Sequence, residues 1–257
     1  ENSVDKGEKV DYSYQKQLFP IDIVVTYPND QGSADLALIG EGSDGRHYAI
    51  KTTNDGKGYI PITELFCYEL ARIIGIPTPE FQIVKLRNGE LAFGSVWEGG
   101  SAITKTLPQV LKILKGEILV SNLKSLISKV YAFDLFVNNI DRHFGNFLFR
   151  DSYKKNIGLA YDFGRAWYEI SPYSYEALDP DHNTSKYNVY AKQYDKYDRD
   201  IASAALTEIS KIDQVTISHI FSSAPNDWLE EENKSEFLSW WNSENMANRI
   251  NRLKGEL

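Results

Sequence analysis

Asp141-Arg142-His143-Phe144-Gly145-Asn146 and Tyr161-Asp162-Phe163-Gly164 are the two segments on which the reading of this 257-residue chain turns. Asn146 follows Asp141 by five residues, and Asp162 follows Asn146 by sixteen. Between them, Asn146 to Arg150 and Ile157 to Tyr161 are apolar runs separated by polar Asp151 to Asn156, which predicts strand, turn, strand. A lone Asp-to-Asn spacing of five arises by chance in roughly half of chains this long, whereas Asp-Phe-Gly arises in about one in twenty-five. Order and hairpin together carry more weight than either segment.

The pattern is that of a protein-kinase catalytic loop, an Asp with an Asn five residues on, followed downstream by D-F-G. It reads as an ATP-dependent phosphoryl-transfer site. Such transfer needs positioning and charge neutralisation more than covalent chemistry, so carboxylate and amide oxygens must hold magnesium against the phosphates. Asn146 and Asp162 are the candidates for the metal. Asp141 is the candidate to accept or orient the proton of an incoming hydroxyl.

Composition sets the frame. Apolar residues make up 42% and charged residues 25%, the balance of a globular chain. A net charge of -8 disfavours nonspecific binding to nucleic acid or anionic membrane, both of which need a basic field. The single cysteine, Cys67, allows no intrachain disulfide and fits a reducing, cytoplasmic compartment. No apolar run has the length of a membrane span, and no signal segment is expected at the start.

Upstream of the motifs the chain alternates strands and turns. Residues 1–17 read as a flexible lead-in; Ile21 to Tyr27 is a strand, Pro28 to Ser33 a turn, Ala34 to Ile39 the return strand, Gly40 to Gly45 a second turn. Arg46 to Thr52 is a third strand, and its Tyr48-Ala49-Ile50-Lys51 resembles the V-A-I-K strand whose lysine contacts the α- and β-phosphates. Gly32 and Ser33 sit in the turn that would cover those phosphates through backbone N–H groups. Pro61 to Ile74 predicts a helix, with Pro near its start and Gly75 placed to cap it. Glu64 and Glu69 lie roughly 140° apart on it, so one alone can face the lysine. Periodicity leans toward Glu69, on the side of Ile62, Phe66 and Ile73.

Phe81 to Leu86 and Leu91 to Trp97 read as strands across an Asn88-Gly89 turn. The flexible Glu98-Gly99-Gly100-Ser101 follows, placing a hinge there with Trp97 and Glu98 beside the adenine. Leu123, Leu126, Ile127, Val130, Phe133 and Val137 form a helical apolar stripe, Ser121 its expected cap, leading into the Asp141 loop. Asp134 on that helix suits a structural hydrogen-bonding role, and Arg142 and His143 are expected to brace the loop. From Tyr168 to Asp200 the chain is tyrosine-rich, in the position of an activation or substrate segment; an ordered loop packing amphipathic rings explains it equally. Ala202 to Leu257 is expected to be helical, with Trp228, Trp240 and Trp241 as anchors.

Together, Tyr48 to Lys51, Thr63 to Pro79, Asn139 to Asn146 and Tyr161 to Trp167 resemble the HipA-like kinases, over roughly residues 32–167. The Asp-Arg-His order is also similar to that of the phosphatidylinositol kinases. The resemblance implies an α+β, two-lobed protein-kinase-like fold, with a β-rich N-lobe over 18–99 and a mainly helical C-lobe over 100–257. It implies ATP and Mg2+ as cofactors, with Lys51 and Asp141, Asn146 and Asp162 as the catalytic set. It selects Glu64 as the acid that orients Lys51. It further implies a serine/threonine kinase acting on a protein, as HipA relatives phosphorylate translation factors, act as toxins against an antitoxin partner, and in some cases autophosphorylate a serine in the glycine loop. Departures are a short chain, an N-terminal antitoxin-contacting subdomain expected to be absent, and no A-P-E after D-F-G. Two other readings are a lipid or small-molecule kinase on the same scaffold and a nucleotide-binding pseudokinase module.

Overall fold

The computed structural model describes residues 19–28, 38–97, 106–152 and 155–257. The expected lead-in, the phosphate-covering Gly32 and Ser33, and the hinge residue Glu98 lie outside them.

Five strands close into a small barrel in the order β1-β2-β3-β5-β4. They are β1 (Ile21–Pro28), β2 (Leu38–Gly42), β3 (His47–Lys51), β4 (Phe81–Lys85) and β5 (Leu91–Val96). All neighbours are antiparallel except β1 and β4, whose parallel pairing of Ile21 with Val84 closes the ring. Ile23, Tyr48, Ile50, Val84 and Ala92 fill the interior. Strand alternation then turns Ala49 and Lys51 the opposite way from Tyr48 and Ile50. Ala49 packs there with Ile39 and Trp97, so Lys51 and Trp97 share the face that looks away from the barrel core.

The expected turn at Gly40 to Gly45 is corrected by this packing. Gly40 and Gly42 are strand residues of β2, and the turn spans only residues 43–45. A Cβ on Gly40 would meet Ile50 and Ile23 at 2.6 and 2.8 Å, and one on Gly42 would meet Asp44 and Ile21 at 2.6 and 2.8 Å. Glycine here serves close approach across a tight barrel rather than chain reversal.

Helix α1 (Ile60–Ile73) is the centre of the molecule: every residue from Ile60 to Ala71 is buried. Pro61 occupies its first turn, where a missing N–H costs nothing, and left-handed Gly75 ends it, with Ile76 N–H returning to Ala71 O. One face packs on the barrel, where the Tyr68 ring meets Phe81, Phe93 and Phe163. The other carries Phe66, stacked on Trp167 at 4.1 Å and 6° and set edge-on to Phe237. Each such aromatic pair contributes on the order of 1 kcal/mol beyond its buried area. A single apolar cluster therefore runs from β4 and β5 through α1 into the helices that follow.

Those are α2 (Leu107–Lys115), α3 (Leu123–Phe136), the short α4 (Trp167–Ile170), α5 (Asn183–Gln193), α6 (Arg199–Ser210), α7 (Gln214–Ser223), α8 (Glu231–Trp240) and α9 (Glu244–Glu256). The hairpin β6 (Phe147–Ser152) and β7 (Lys155–Ala160) follows α3, as the apolar runs predict. Ser121 does not cap α3. Asn122 precedes the helix and exchanges both amide hydrogen bonds with Gly158, at 2.9 and 3.0 Å, fastening the helix start to β7. The tyrosine-rich segment is largely helical, with Tyr187 buried under α3 on α5. Trp228 and Trp241 are buried anchors as expected, and Trp240 is half-buried. No helix among the described residues is long and apolar enough to cross a membrane.

Candidate active site

The site forms where the end of β3, the middle of α1, the loop after α3 and the end of the β6–β7 hairpin meet. Its foundation is a buried ion pair. Asp134, on the last turn of α3, accepts Arg142 Nε at 2.8 Å and Nη2 at 3.2 Å, plus Asn139 Nδ2 at 2.8 Å. Both side chains of the pair are fully buried. Burial raises the Asp134 carboxyl above its usual value, while the Arg142 charge and the Arg142 and Asn139 hydrogen bonds work against that rise. Burial works against the Arg142 charge as well, and Asp134 outweighs it.

Arg142 spends its remaining N–H groups on backbone. Nη1 donates to Asn146 O at 3.0 Å and to Tyr161 O at 2.6 Å, so one guanidinium ties the catalytic loop to the D-F-G strand. Its plane lies 4.6 Å from the Phe163 ring centroid. The bracing expected of Arg142 thus has a specific geometry. His143 braces more locally, its Nδ1 accepting Gly145 N–H at 3.0 Å in the 3-10 turn that ends on Asn146.

That turn and the hairpin bring Asn146 and Asp162 together. Tyr161 N–H donates to Asn146 O at 3.2 Å, so Asp162 is the next residue along from Asn146's backbone partner. Asn146 Nδ2 donates to Asp141 O at 3.1 Å, which leaves the amide oxygen as its acceptor. Asp162 itself has φ +59°, a left-handed conformation that Asp tolerates better than most residues. Strain of this kind persists only where its surroundings enforce it.

Above this base sit two carboxylates and one ammonium. Lys51 Nζ lies 3.7 Å from Asp162 Oδ1, with the lysine side chain 7% and the aspartate 21% exposed. Glu64, from α1, accepts Phe163 N–H at 3.1 Å. Burial, the Asp162 charge and a hydrogen bond to that carboxylate push Glu64 up to about 8, with Lys51 pulling the other way. Burial also opposes ionisation of Asp162, but Lys51 and Arg142 outweigh it and hold that carboxyl below its usual value. The two carboxyls are thus pushed in opposite directions, Glu64 toward holding its proton and Asp162 toward losing it. Glu69, toward which periodicity leaned, pairs instead with Arg72 at 2.9 Å.

Trp97 lies beside β3, its N–H bonded to His47 O at 2.7 Å. Asp141 is partly exposed, and its Oδ1 accepts Asn183 Nδ2 at 2.5 Å. Asn183 and the adjacent Thr184 escaped the sequence reading, because no local pattern marks a contact 42 residues away. Glu169 escaped it too. Buried on α4, it accepts the N–H groups of Lys57 at 2.7 Å and Tyr59 at 3.3 Å, pinning the loop before α1 to the segment after D-F-G.

Among the described residues no cluster of three His, Cys, Asp or Glu side chains could hold a metal ion. The donor set present, an ionised carboxylate and an adjacent amide oxygen, is nonetheless the hard-oxygen pair that magnesium takes when phosphates supply further ligands.

A family model for HipA-like kinases matches residues 23–256. Among solved structures, the proinflammatory kinase CtkA of Helicobacter pylori aligns with TM-score 0.57 at 15% identity, covering 92% of this chain and 97% of that one. HipA of Shewanella oneidensis MR-1, solved with HipB and operator DNA, aligns with TM-score 0.51 at 14% identity. That match covers 92% of this chain and 66% of the HipA chain, just under two thirds of its length. No curated protein sequence matches. Identities this low speak for the fold alone, a kinase-like α+β arrangement. The family model, which runs through barrel and helices alike, says more: the chain belongs to the HipA-like kinase family.

Proposed function

We propose that this chain is an ATP- and magnesium-dependent phosphotransferase that phosphorylates a serine or threonine hydroxyl of a protein. The observation that carries the reading is the convergence of Lys51, 3.7 Å from Asp162, with Glu64, which accepts Phe163 N–H, so that one cation serves two neighbouring carboxyl groups. Such a group is short of positive charge by design of its surroundings, and a magnesium–phosphate complex supplies both the cation and the acceptors for Lys51.

In this reading barrel and helices act as two lobes, residues 18–99 and 100–257. Lys51 binds the α- and β-phosphates, Gly32 and Ser33 cover them, and Trp97 and Glu98 line the adenine. Asn146 and Asp162 would hold magnesium, which when bound would neutralise charge developing on the phosphates. Glu64 fixes the D-F-G backbone through Phe163 N–H and sets the charge around Lys51. Asp141 accepts the proton of the substrate hydroxyl; the oxygen so freed bonds the γ-phosphorus, the bond to the β-phosphate oxygen breaks, and ADP leaves.

Family membership supports a protein substrate such as a translation factor, an antitoxin-like partner, and a cytoplasmic setting. The test is transfer from γ-labelled ATP with magnesium, first with the protein alone and then with bacterial extract, beside Asp162→Asn. Asparagine tolerates the left-handed backbone at 162, so the variant keeps the fold and loses the charge. Label that disappears in the variant is the expected result. Equal labelling in both proteins would sink the assignment.

A further inference from the structure

The first turn of α5 meets the catalytic loop through two neighbouring residues in different ways. Thr184 is fully buried: its Oγ1 donates to Asn139 O at 2.5 Å and accepts Arg142 N–H at 3.0 Å, and its own N–H reaches Ile140 O at 3.4 Å. Every one of these bonds ends on backbone, so Thr184 fixes the path of the loop. Asn183 is exposed, and its bond is side chain to side chain, Nδ2 to Asp141 Oδ1 at 2.5 Å.

An exposed bond of this kind adds little net stability, because water competes for both partners. Its effect is on geometry. A carboxylate on a short aspartate side chain turns about its last bond, and its two oxygens exchange places. With Oδ1 held by the Asn183 amide, that rotation is restricted and Oδ2 is left as the open acceptor.

Resting on the reading of Asp141 as proton acceptor, we propose that Asn183 is a positioning residue that holds Asp141 by Oδ1 so that Oδ2 receives the proton of the acceptor hydroxyl. The residue acts through Asp141 and touches neither lysine nor metal ligands. Its loss should therefore lower turnover without weakening nucleotide binding.

Asn183→Asp is the sharpest variant, since it keeps size and helix-start character, removes the donor and sets a second negative charge against Asp141. Asn183→Ala removes the donor alone. Ser185→Ala is the control: Ser185 Oγ donates to Ala177 O at 3.0 Å from the same helix without touching the loop. The assay is transfer from γ-labelled ATP with magnesium to a serine/threonine peptide library, with Tm measured on every variant. A misplaced reacting group costs up to about 100-fold, so kcat should fall by about 10- to 100-fold in Asn183→Asp and less in Asn183→Ala. KM for ATP and Tm should stay near wild type, and Ser185→Ala should keep its kcat. An active wild type with unchanged kcat in both Asn183 variants overturns this inference alone, as does a fall in kcat that tracks Tm and appears in Ser185→Ala. A wild type that transfers no phosphate overturns the kinase reading and this inference with it.

Discussion

Two charge groups lie side by side, Arg142 resting over the Phe163 ring next to Asp162, and they are built to opposite plans. Asp134 and Arg142 form a closed pair: one acid, one base, every polar atom bonded, both side chains out of contact with water. Lys51, Asp162 and Glu64 form an open group, with two acids for one base, Glu64 pushed toward its protonated form and Asp162 away from it. The closed pair holds backbone in place, reaching Asn146 O and Tyr161 O. The open group is left able to change its charge. The proposed binding of a polyanion and its cation would use that freedom, with the rigid neighbour giving the site its shape.

The largest effect should come from breaking the open group. Asp162→Asn is expected to lower phosphate transfer by about 1,000-fold or more, since preorganised charge is usually the largest single contribution to such catalysis. Steady-state rates at saturating ATP check this, and a variant with rates near wild type would remove Asp162 from the chemistry.

Breaking the closed pair should show in stability. Arg142→Met leaves Asp134 buried without its cation and frees two backbone carbonyls, a loss of about 3–5 kcal/mol in denaturant unfolding. Replacing both partners, as in Asp134→Leu with Arg142→Met, should cost less than the two single changes summed, because no uncompensated charge remains. Additive losses would mean that the pair does not act as a unit.

The open group should show in the pH dependence of stability. Glu64 is raised in the folded state, so between the ordinary carboxylate range and its folded value the native protein holds a proton that the unfolded chain has released. Stability from this group is complete at low pH and is lost as pH rises toward about 8. Asp162 is lowered and acts with the opposite sign, its contribution present above the usual aspartate range and lost only as pH falls below it. Glu64→Gln copies the protonated acid and should remove the loss at higher pH, on the order of 2 kcal/mol or about 4–8 °C in Tm near pH 8. Parallel Tm profiles for the two proteins would contradict the raised Glu64 carboxyl.

The smallest effect concerns the ligand. If magnesium and ATP bind at Asp162 as proposed, the added cation would relieve the repulsion that raises Glu64, and binding near neutral pH should release up to about one proton. Calorimetry in buffers of different ionisation enthalpy measures it, and buffer-independent enthalpies would count against it.

Some of this was legible in the residues alone. Strand alternation around Tyr48 to Lys51, the Pro61 and Gly75 boundaries of α1, and the hairpin between Asn146 and Asp162 are local patterns, set by backbone geometry and turn chemistry within a few residues. The choice between Glu64 and Glu69 was not, because α1 is buried on nearly all sides and has no solvent face for periodicity to mark. Gly40 and Gly42 misled for a related reason. Glycine signals both a turn and a close approach, and only the neighbouring Ile23 and Ile50 decide which.

The sequence by itself determined the family, the barrel strands, helices α1 and α3 with the hairpin between Asn146 and Asp162, and the chemical types needed for phosphate transfer, since these depend on residue identity and short-range spacing. Only the tertiary structure decided that Glu64 meets Phe163 and Asp162, that Arg142 is shared between loop and D-F-G strand, and that Asn183 reaches Asp141. Those contacts join residues far apart in the chain, and a hydrogen bond or a charge interaction acts over a few ångströms of space whatever the distance along the backbone.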